Sequence, residues 1–162
     1  MKQVKTDKSE LRKMRRLLWL MGVIKIPMIH FTSPKLLLIN EKTVKVRVKL
    51  RRRTKNHLKS MYFGALSVGA DVAGGIHAYY FANKSDEKIS FAFKSMKAEF
   101  LKRATTDIIF ESNDGEIVQQ VISEAKSSQE RVNKTVTVNA FDKEKEIVAT
   151  FEMEISVKVK SE

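Results

Sequence analysis

Alternation of apolar and polar residues is the strongest signal along the chain. Residues 43–50 put Val44, Val46, Val48 and Leu50 on one face and Lys45, Arg47 and Lys49 on the other. That is the pattern of an antiparallel strand with one wet face. Residues 147–160 alternate more clearly still. Phe151, Met153, Ile155, Val157 and Val159 point one way, and Glu152, Glu154, Ser156, Lys158 and Lys160 point the other. Residues 35–40, 107–112 and 132–140 read as further strands. Residues 88–102 predict a long one carrying Ile89, Phe91 and Phe93 on one face. Its phase slips near Met96, which predicts a bulge, and Ala98 and Phe100 carry it on.

Three segments have the helical period instead. Leu11, Met14, Leu18 and Met21 recur at helical spacing beside Arg12, Lys13, Arg15 and Arg16, which predicts an amphipathic helix. Ser9 is its expected N-cap, residues 1–9 read as a basic tail, and Pro27 and Pro34 mark the exit. Residues 60–83 predict a long helix of unusual composition. Eight of residues 64–78 are Gly or Ala, four of them Gly. Each Gly costs about 1 kcal/mol relative to Ala in a helix interior, so packing has to favour this helix where propensity does not. Small residues let other backbones approach, which suggests a central helix wrapped by a sheet. A second helix is expected near Asn113, with Glu116 completing a capping box and Ile117, Val118, Val121, Ile122 and Ala125 as its apolar face. Six strands, a central helix after the second and a smaller helix after the fourth make an α+β fold with an antiparallel sheet.

Composition narrows the function. With 162 residues, 43% hydrophobic and 31% charged, the chain suits one soluble domain and excludes intrinsic disorder. It divides into a basic tail and amphipathic helix at 1–34 and a folded domain at 35–162. The absence of cysteine excludes disulfides, thiolate nucleophiles and cysteine-built metal sites, and agrees with a cytoplasmic location. His30, His57 and His77 are too scattered to form a metal site. The apolar run 17–24 is interrupted by Lys25 and Pro27, too short for a transmembrane segment and without a cleavage site after it. Docking of this helix on the domain is favoured over binding to a membrane surface.

The net charge of +12 is uneven. Residues 1–112 hold 24 basic and 9 acidic side chains, and residues 113–162 hold 7 and 10. A positive first two-thirds could serve nucleic acid, an anionic membrane or a phosphate-rich small molecule, or be ordinary solvated charge. Nucleic acid is disfavoured, because no aromatic residues are interleaved with the basic ones and no zinc-finger or RRM motif is present. The segment from Gly69 to Gly75 lies in a helix and is no phosphate loop.

The segment Asn56-His57-Leu58-Lys59-Ser60-Met61-Tyr62-Phe63-Gly64-Ala65, followed by Gly69-Ala70-Asp71, resembles the start of the central helix in hotdog-fold thioesterases. In the phenylacetate-pathway branch an Asn, a His-Gly-Gly and an acidic residue stand where Asn56, Tyr62-Phe63-Gly64 and Asp71 stand here. Phe100-Leu101-Lys102-Arg103-Ala104 is similar to that branch's Phe-Leu-Arg-Pro-Ala. The wording is closer still to a little-characterised bacterial hotdog family of thioesterase type, similar to the C-terminal domain of an acetyltransferase fusion protein. The family's His is Tyr62 here, the first Gly of its pair is Phe63, and its Pro is Arg103.

The resemblance implies a hotdog domain over 35–162 and hydrolysis of an acyl-CoA or acyl-carrier-protein thioester, with the thioester as substrate and no separate cofactor. Asp71, the one acid among small apolar residues of the helix, would have its pKa raised by desolvation and could act as base or nucleophile. Backbone N–H groups near Phe63 and Gly64 would polarise the carbonyl, with Tyr62 beside them and Asn56 positioning water. Gly64 and Asp71 are about 10 Å apart along one helix, so one helix cannot bring both to one carbonyl, whereas two antiparallel helices, one from each subunit, can. Hotdog proteins pair in this way, so the resemblance implies a homodimer, or a dimer of dimers. Arg51, Arg52, Arg53 and Lys55 would serve the phosphates of coenzyme A, joined from the partner subunit by Lys97, Lys102 and Arg103. Plainer roles stay open: a structural carboxylate for Asp71, a turn for Asn56, a pocket wall or dimer contact for Tyr62, a solvated turn for the arginines. A non-catalytic acyl-CoA or fatty-acyl binding module is the alternative, favoured by the missing His.

Overall fold

Helix α1 (Lys8–Leu20) starts on Asp7, whose carboxylate accepts the Ser9 N–H at 2.9 Å. Ser9 is therefore not the cap but lies in the first turn, because an acceptor two residues earlier takes the role. The computed structural model describes residues 7–160. The expected basic tail is thus helical from Lys8, and its residues 1–6 lie outside the described part. The helix widens into a π-helical turn, Met21–Lys25, and the chain reverses into α2 (Pro27–Thr32), with Pro27 in its first turn. Gly22 is buried where the two helices cross; a Cβ there would stand 3.0 Å from the His30 nitrogen. Met14 and Leu18 face the domain. Arg15 Nε donates to the Leu36 carbonyl at 2.7 Å, and the Tyr80 hydroxyl donates to Glu10 at 3.1 Å, so α1 is docked along its length.

Six strands follow: β1 (Lys35–Ile39), β2 (Val44–Val48), β3 (Ile89–Phe100), β4 (Ile108–Ser112), β5 (Val132–Phe141) and β6 (Ile147–Val159). They form one antiparallel sheet in the order β1-β2-β4-β5-β6-β3. The alternation seen in the sequence sets the pairing faces. Val44, Val46 and Val48 are fully buried, as are Phe151, Met153 and Ile155. Ser156 departs from the pattern. It was expected to face solvent but is buried, because Arg131 lies across it and donates to both its carbonyl and its hydroxyl at 3.3 Å. The irregularity in β3 falls between Phe93 and Ser95, just before the Met96 position expected for it.

Helix α3 (Phe63–Ser85) crosses the sheet and is buried almost continuously from Ala65 to Ala82. A helix apolar on all sides belongs in a core. Its glycines are the seats of sheet side chains. A Cβ at Gly69 would fall 2.3 Å from the Phe110 ring, and one at Gly74 2.3 Å from the Met153 methyl. The cost in propensity is offset by this close approach. Helix α4 (Gly115–Ser128) packs Val118, Val121, Ile122 and Ala125 against the domain. The expected capping box does not form. The cap residue is Asp114, without a side-chain cap bond, and its carboxylate accepts from the Thr137 N–H instead. Asn113 bonds Thr43 and Glu111, and Glu116 pairs with Lys42 at 3.2 Å. Together these elements make a hotdog fold, a long helix held in a six-stranded antiparallel sheet.

Candidate active site

Asp71 lies in the middle of α3, on the wall of a cavity of about 190 Å³. The cavity is enclosed from three sides. The α1–α2 hairpin contributes Leu18, Met21, Ile26 and Ile29, β3 contributes Phe91 and Phe93, and α3 contributes Gly75 and Tyr79 as well as Asp71. Among the described residues the Asp71 carboxyl makes no hydrogen bond or ion pair. Burial without a compensating partner pushes its pKa up to about 6. It is still mostly ionised at neutral pH, and is basic enough to take a proton from water.

Tyr79 is two turns beyond Asp71 on the same face, with Gly75 between them. Its phenol is held protonated by burial and by the Asp71 charge. Tyr79 is not among the site residues expected from the sequence, although the spacing of four from Asp71 to Gly75 to Tyr79 places all three in line. The hairpin residues carried no such signal, since nothing local connects Met21 or Ile26 to a helix fifty residues on.

Tyr62 and Gly64 meet at the other end of the first half of α3. Tyr62 is the N-cap residue, with extended backbone and no side-chain cap bond. Its ring lies against Gly64, where a Cβ would stand 2.4 Å from the ring. The N–H groups of Phe63 and Gly64 have no partner among the described residues, so they point their partial positive charge outward. Met61 N–H donates to the Ala104 carbonyl at 2.8 Å, and the rings of Phe63 and Phe100 are 6.4 Å apart. The end of β3 and the following Arg103 are thereby brought against the start of α3.

Asn56 is a turn residue. Its Oδ1 accepts from the Leu58 N–H at 2.9 Å and the Ser60 N–H at 3.2 Å, and its amide donates to Ser60 Oγ at 3.1 Å. It shapes the loop leading to Tyr62.

The basic residues divide into two sets. Arg51, Arg52 and Arg53 lie in an exposed turn closed by buried Thr54, whose hydroxyl donates to the Lys49 carbonyl and accepts from the Arg51 N–H, both at 2.8 Å. Lys55 follows in a bridge to Met61. Among the described residues the side chains of Arg51, Arg52 and Arg103 make no ion pair, whereas Arg53 donates to Ser33 Oγ at 2.6 Å and lies over the Phe31 ring. Lys97 is paired with Glu99 at 3.7 Å and Glu152 at 4.0 Å, and Lys102 with Glu146 and, at 3.6 Å, Asp142. Within one chain these two lysines are thus held by carboxylates, whereas Arg51, Arg52 and Arg103 are not. Among the described residues no group of three or more potential ligands could hold a metal ion, and no helix is long and apolar enough to cross a membrane.

Several solved structures of similar fold carry thioesterase names. Protein PA5026 of Pseudomonas aeruginosa, of unknown function and described as a probable thioesterase, shares 21% identity over 96% of this chain and 99% of its own, with a TM-score of 0.73. Thioesterase HI1161 of Haemophilus influenzae shares 9% over 94% and 92%, with a TM-score of 0.68. Zebrafish thioesterase superfamily member 2 shares 13% over 93% and 98%, with a TM-score of 0.65. At these identities the likeness is one of fold. No curated protein matches the chain. Residues 14–158 match the domain family DUF4442, described as a domain of unknown function, and the chain belongs to that family.

Proposed function

We propose that the protein is a cytoplasmic thioester hydrolase acting on an acyl-CoA or acyl-carrier-protein substrate at a site completed by a second copy of the chain. The observation that carries this reading is Asp71, an unpartnered carboxylate held near pKa 6 on the wall of an apolar cavity. Water adds to the thioester carbonyl carbon as Asp71 takes its proton. The carbon–sulfur bond then breaks and the proton passes to the departing sulfur. The cavity takes the acyl chain, and the outward N–H groups of Phe63 and Gly64 of the other copy stabilise the developing oxyanion. The hotdog relatives named as thioesterases support the reaction class.

Pairing is supported by β3. It is an edge strand of twelve residues, hydrogen-bonded among the described strands only to β6, and a long free edge is a template for another strand. Exposed Tyr62, Phe63, Phe100 and Leu101 cluster at its end. Among the described residues Arg51, Arg52, Lys55 and Arg103 make no ion pair and are the cations offered to coenzyme A phosphates, with Arg53 beside them. Lys97 would first have to leave exposed ion pairs, which cost little to break, whereas Lys102 would also have to leave the buried carboxylate of Asp142.

The alternative is an acyl-CoA binding module without turnover. It is favoured by Tyr62, which replaces the family His and whose hydroxyl has no hydrogen bond among the described residues. One experiment separates the two: thiol release across acyl-CoA chain lengths, with Asp71→Asn as control. The expected result is turnover that falls at least about a hundredfold in the variant, with ligand binding kept. Saturable binding without thiol release at any length would favour the module.

A further inference from the structure

The α1–α2 hairpin is two-faced. Leu18, Met21, Ile26 and Ile29 line the cavity. On the outer side Trp19, Val23, Ile24, Met28 and Phe31 are exposed, Ile24 at 69% and Met28 at 55%. These large apolar side chains fall within residues 19–31, around the π-helical turn at the hairpin tip. A domain of this size rarely leaves so dense an apolar group in water without use.

The charges beside it indicate what covers it. Residues 11–35 carry six Lys or Arg side chains and no carboxylate. Arg12, Arg16, Trp19 and Val23 follow one another at spacings of four, three and four along one side of the helix, so a cationic stripe runs directly into the apolar tip. Between α1 and α2 a groove of about 350 Å³ continues this arrangement, with Trp19 and Gly22 in its wall and Arg15, His30 and Lys35 lining it. Arg53, bonded to Ser33 and lying over Phe31, adds a further cation at the rim. A second copy packed on this face would oppose like charges across an apolar contact, which disfavours self-association. A surface with an apolar interior under a layer of phosphates matches both features at once.

We propose that this hairpin face seats the protein on an anionic phospholipid bilayer. Trp19, Val23, Ile24, Met28 and Phe31 enter the headgroup–acyl boundary, and Arg12, Arg16 and Lys25 meet lipid phosphates. The inner face of the same hairpin is the cavity wall, so docking sets the cavity beside the acyl layer. The surface stands on the hairpin's own residues and holds whether or not Asp71 is catalytic.

Trp19 is the one tryptophan in the chain and reports directly. The full-length protein is mixed with phosphatidylcholine vesicles, with and without phosphatidylglycerol, and followed by cosedimentation and Trp19 emission. The expected result is binding only to vesicles containing phosphatidylglycerol. Emission shifts to the blue, brominated acyl chains quench it, and binding is lost in about 0.5 M salt. The double substitution Ile24→Asp and Met28→Asp should weaken binding at least tenfold, as should Arg12→Glu with Arg16→Glu. All four positions are exposed, and thermal melting confirms that the variants fold. No binding to anionic vesicles at low salt would overturn the proposal, as would equal binding by both variants. It would also fall if lipid-free Trp19 were already shielded in an oligomer that the Ile24/Met28 variant dissolves, since the occupant would then be a second copy.

Discussion

Asp71 and His77 lie on the same helix, and burial drives their pKa values past one another. Asp71 rises to about 6 because its charged form is desolvated. His77 falls to about 4, chiefly because burial disfavours the imidazolium, against smaller upward effects of its bond to the Asn40 carbonyl and of Asp114. His77 Nε2 lies 2.9 Å from that carbonyl oxygen and carries the proton of a neutral ring, stacked 5.7 Å from Phe81.

Their effects on stability oppose each other. The Asp71 contribution is fully present below the unfolded value of 3.8 and is lost as pH rises through 6. The His77 contribution is fully present above 6.5 and is lost as pH falls through 4. Each is worth about 3 kcal/mol from the size of the shift. Between pH 4 and 6 the two slopes cancel, and these groups leave stability nearly flat. Asp71→Asn removes one slope only. In urea unfolding, that variant should be more stable than wild type at pH 7 and lose about 1.4 kcal/mol per pH unit on acidification from 6 to 4. Parallel pH curves for the two proteins would show that the groups do not titrate as described.

Activity has its own pH signature. If Asp71 acts as the base, thiol release should rise through about pH 6 as its carboxyl ionises and level off above it. A profile without that limb would remove Asp71 from the proton transfer.

The arginine turn separates by residue. Arg51→Ser with Arg52→Ser should weaken acyl-CoA binding about tenfold, a loss on the scale of one or two charge-assisted hydrogen bonds, and leave binding of an acyl pantetheine unchanged. Arg53→Ser loses its bond to Ser33 and its place over Phe31, so it should also loosen the hairpin. Calorimetric titration with the two ligands checks both; equal losses for both ligands in the Arg51/Arg52 variant would refute the phosphate role.

Gly69 tests the packing of α3. Gly69→Ala gains about 1 kcal/mol of helix propensity and incurs about 1–3 kcal/mol of overpacking against Phe110, which is fully buried and cannot move aside. A net loss of about 1–2 kcal/mol in chemical unfolding is expected; a stabilised variant would show that the ring yields.

Light scattering should give twice 18.6 kDa or a higher even multiple. Met96→Arg, on the free strand β3, should shift the mass toward the monomer. A monodisperse wild-type monomer would remove the second copy from the site.

Much of this fold was legible in local pattern. The valines at 44, 46 and 48 and the apolar row from Phe151 to Val159 alternate because one face of each strand is buried, and a period of two survives in sequence. The small residues of α3 announced a helix that other elements approach, and a lone carboxylate among them announced its own desolvation. Which element fills each gap was a tertiary matter: Phe110 at Gly69 and Met153 at Gly74 come from strands distant in the chain. So was the choice among competing polar partners. Asp7 rather than Ser9 caps α1, Asp114 bonds Thr137 in place of a capping box, and Arg131 covers Ser156, because each donor or acceptor takes the best-placed partner that the folded chain presents. The candidate site divides the same way. Asp71 was marked by its neighbours in sequence, but the cavity beside it exists only because the chain turns back at Ile26, between the π-helical turn and α2. That reversal lays one face of the hairpin over α3 and leaves the other in water, a division that amphipathic spacing in α1 alone could not specify.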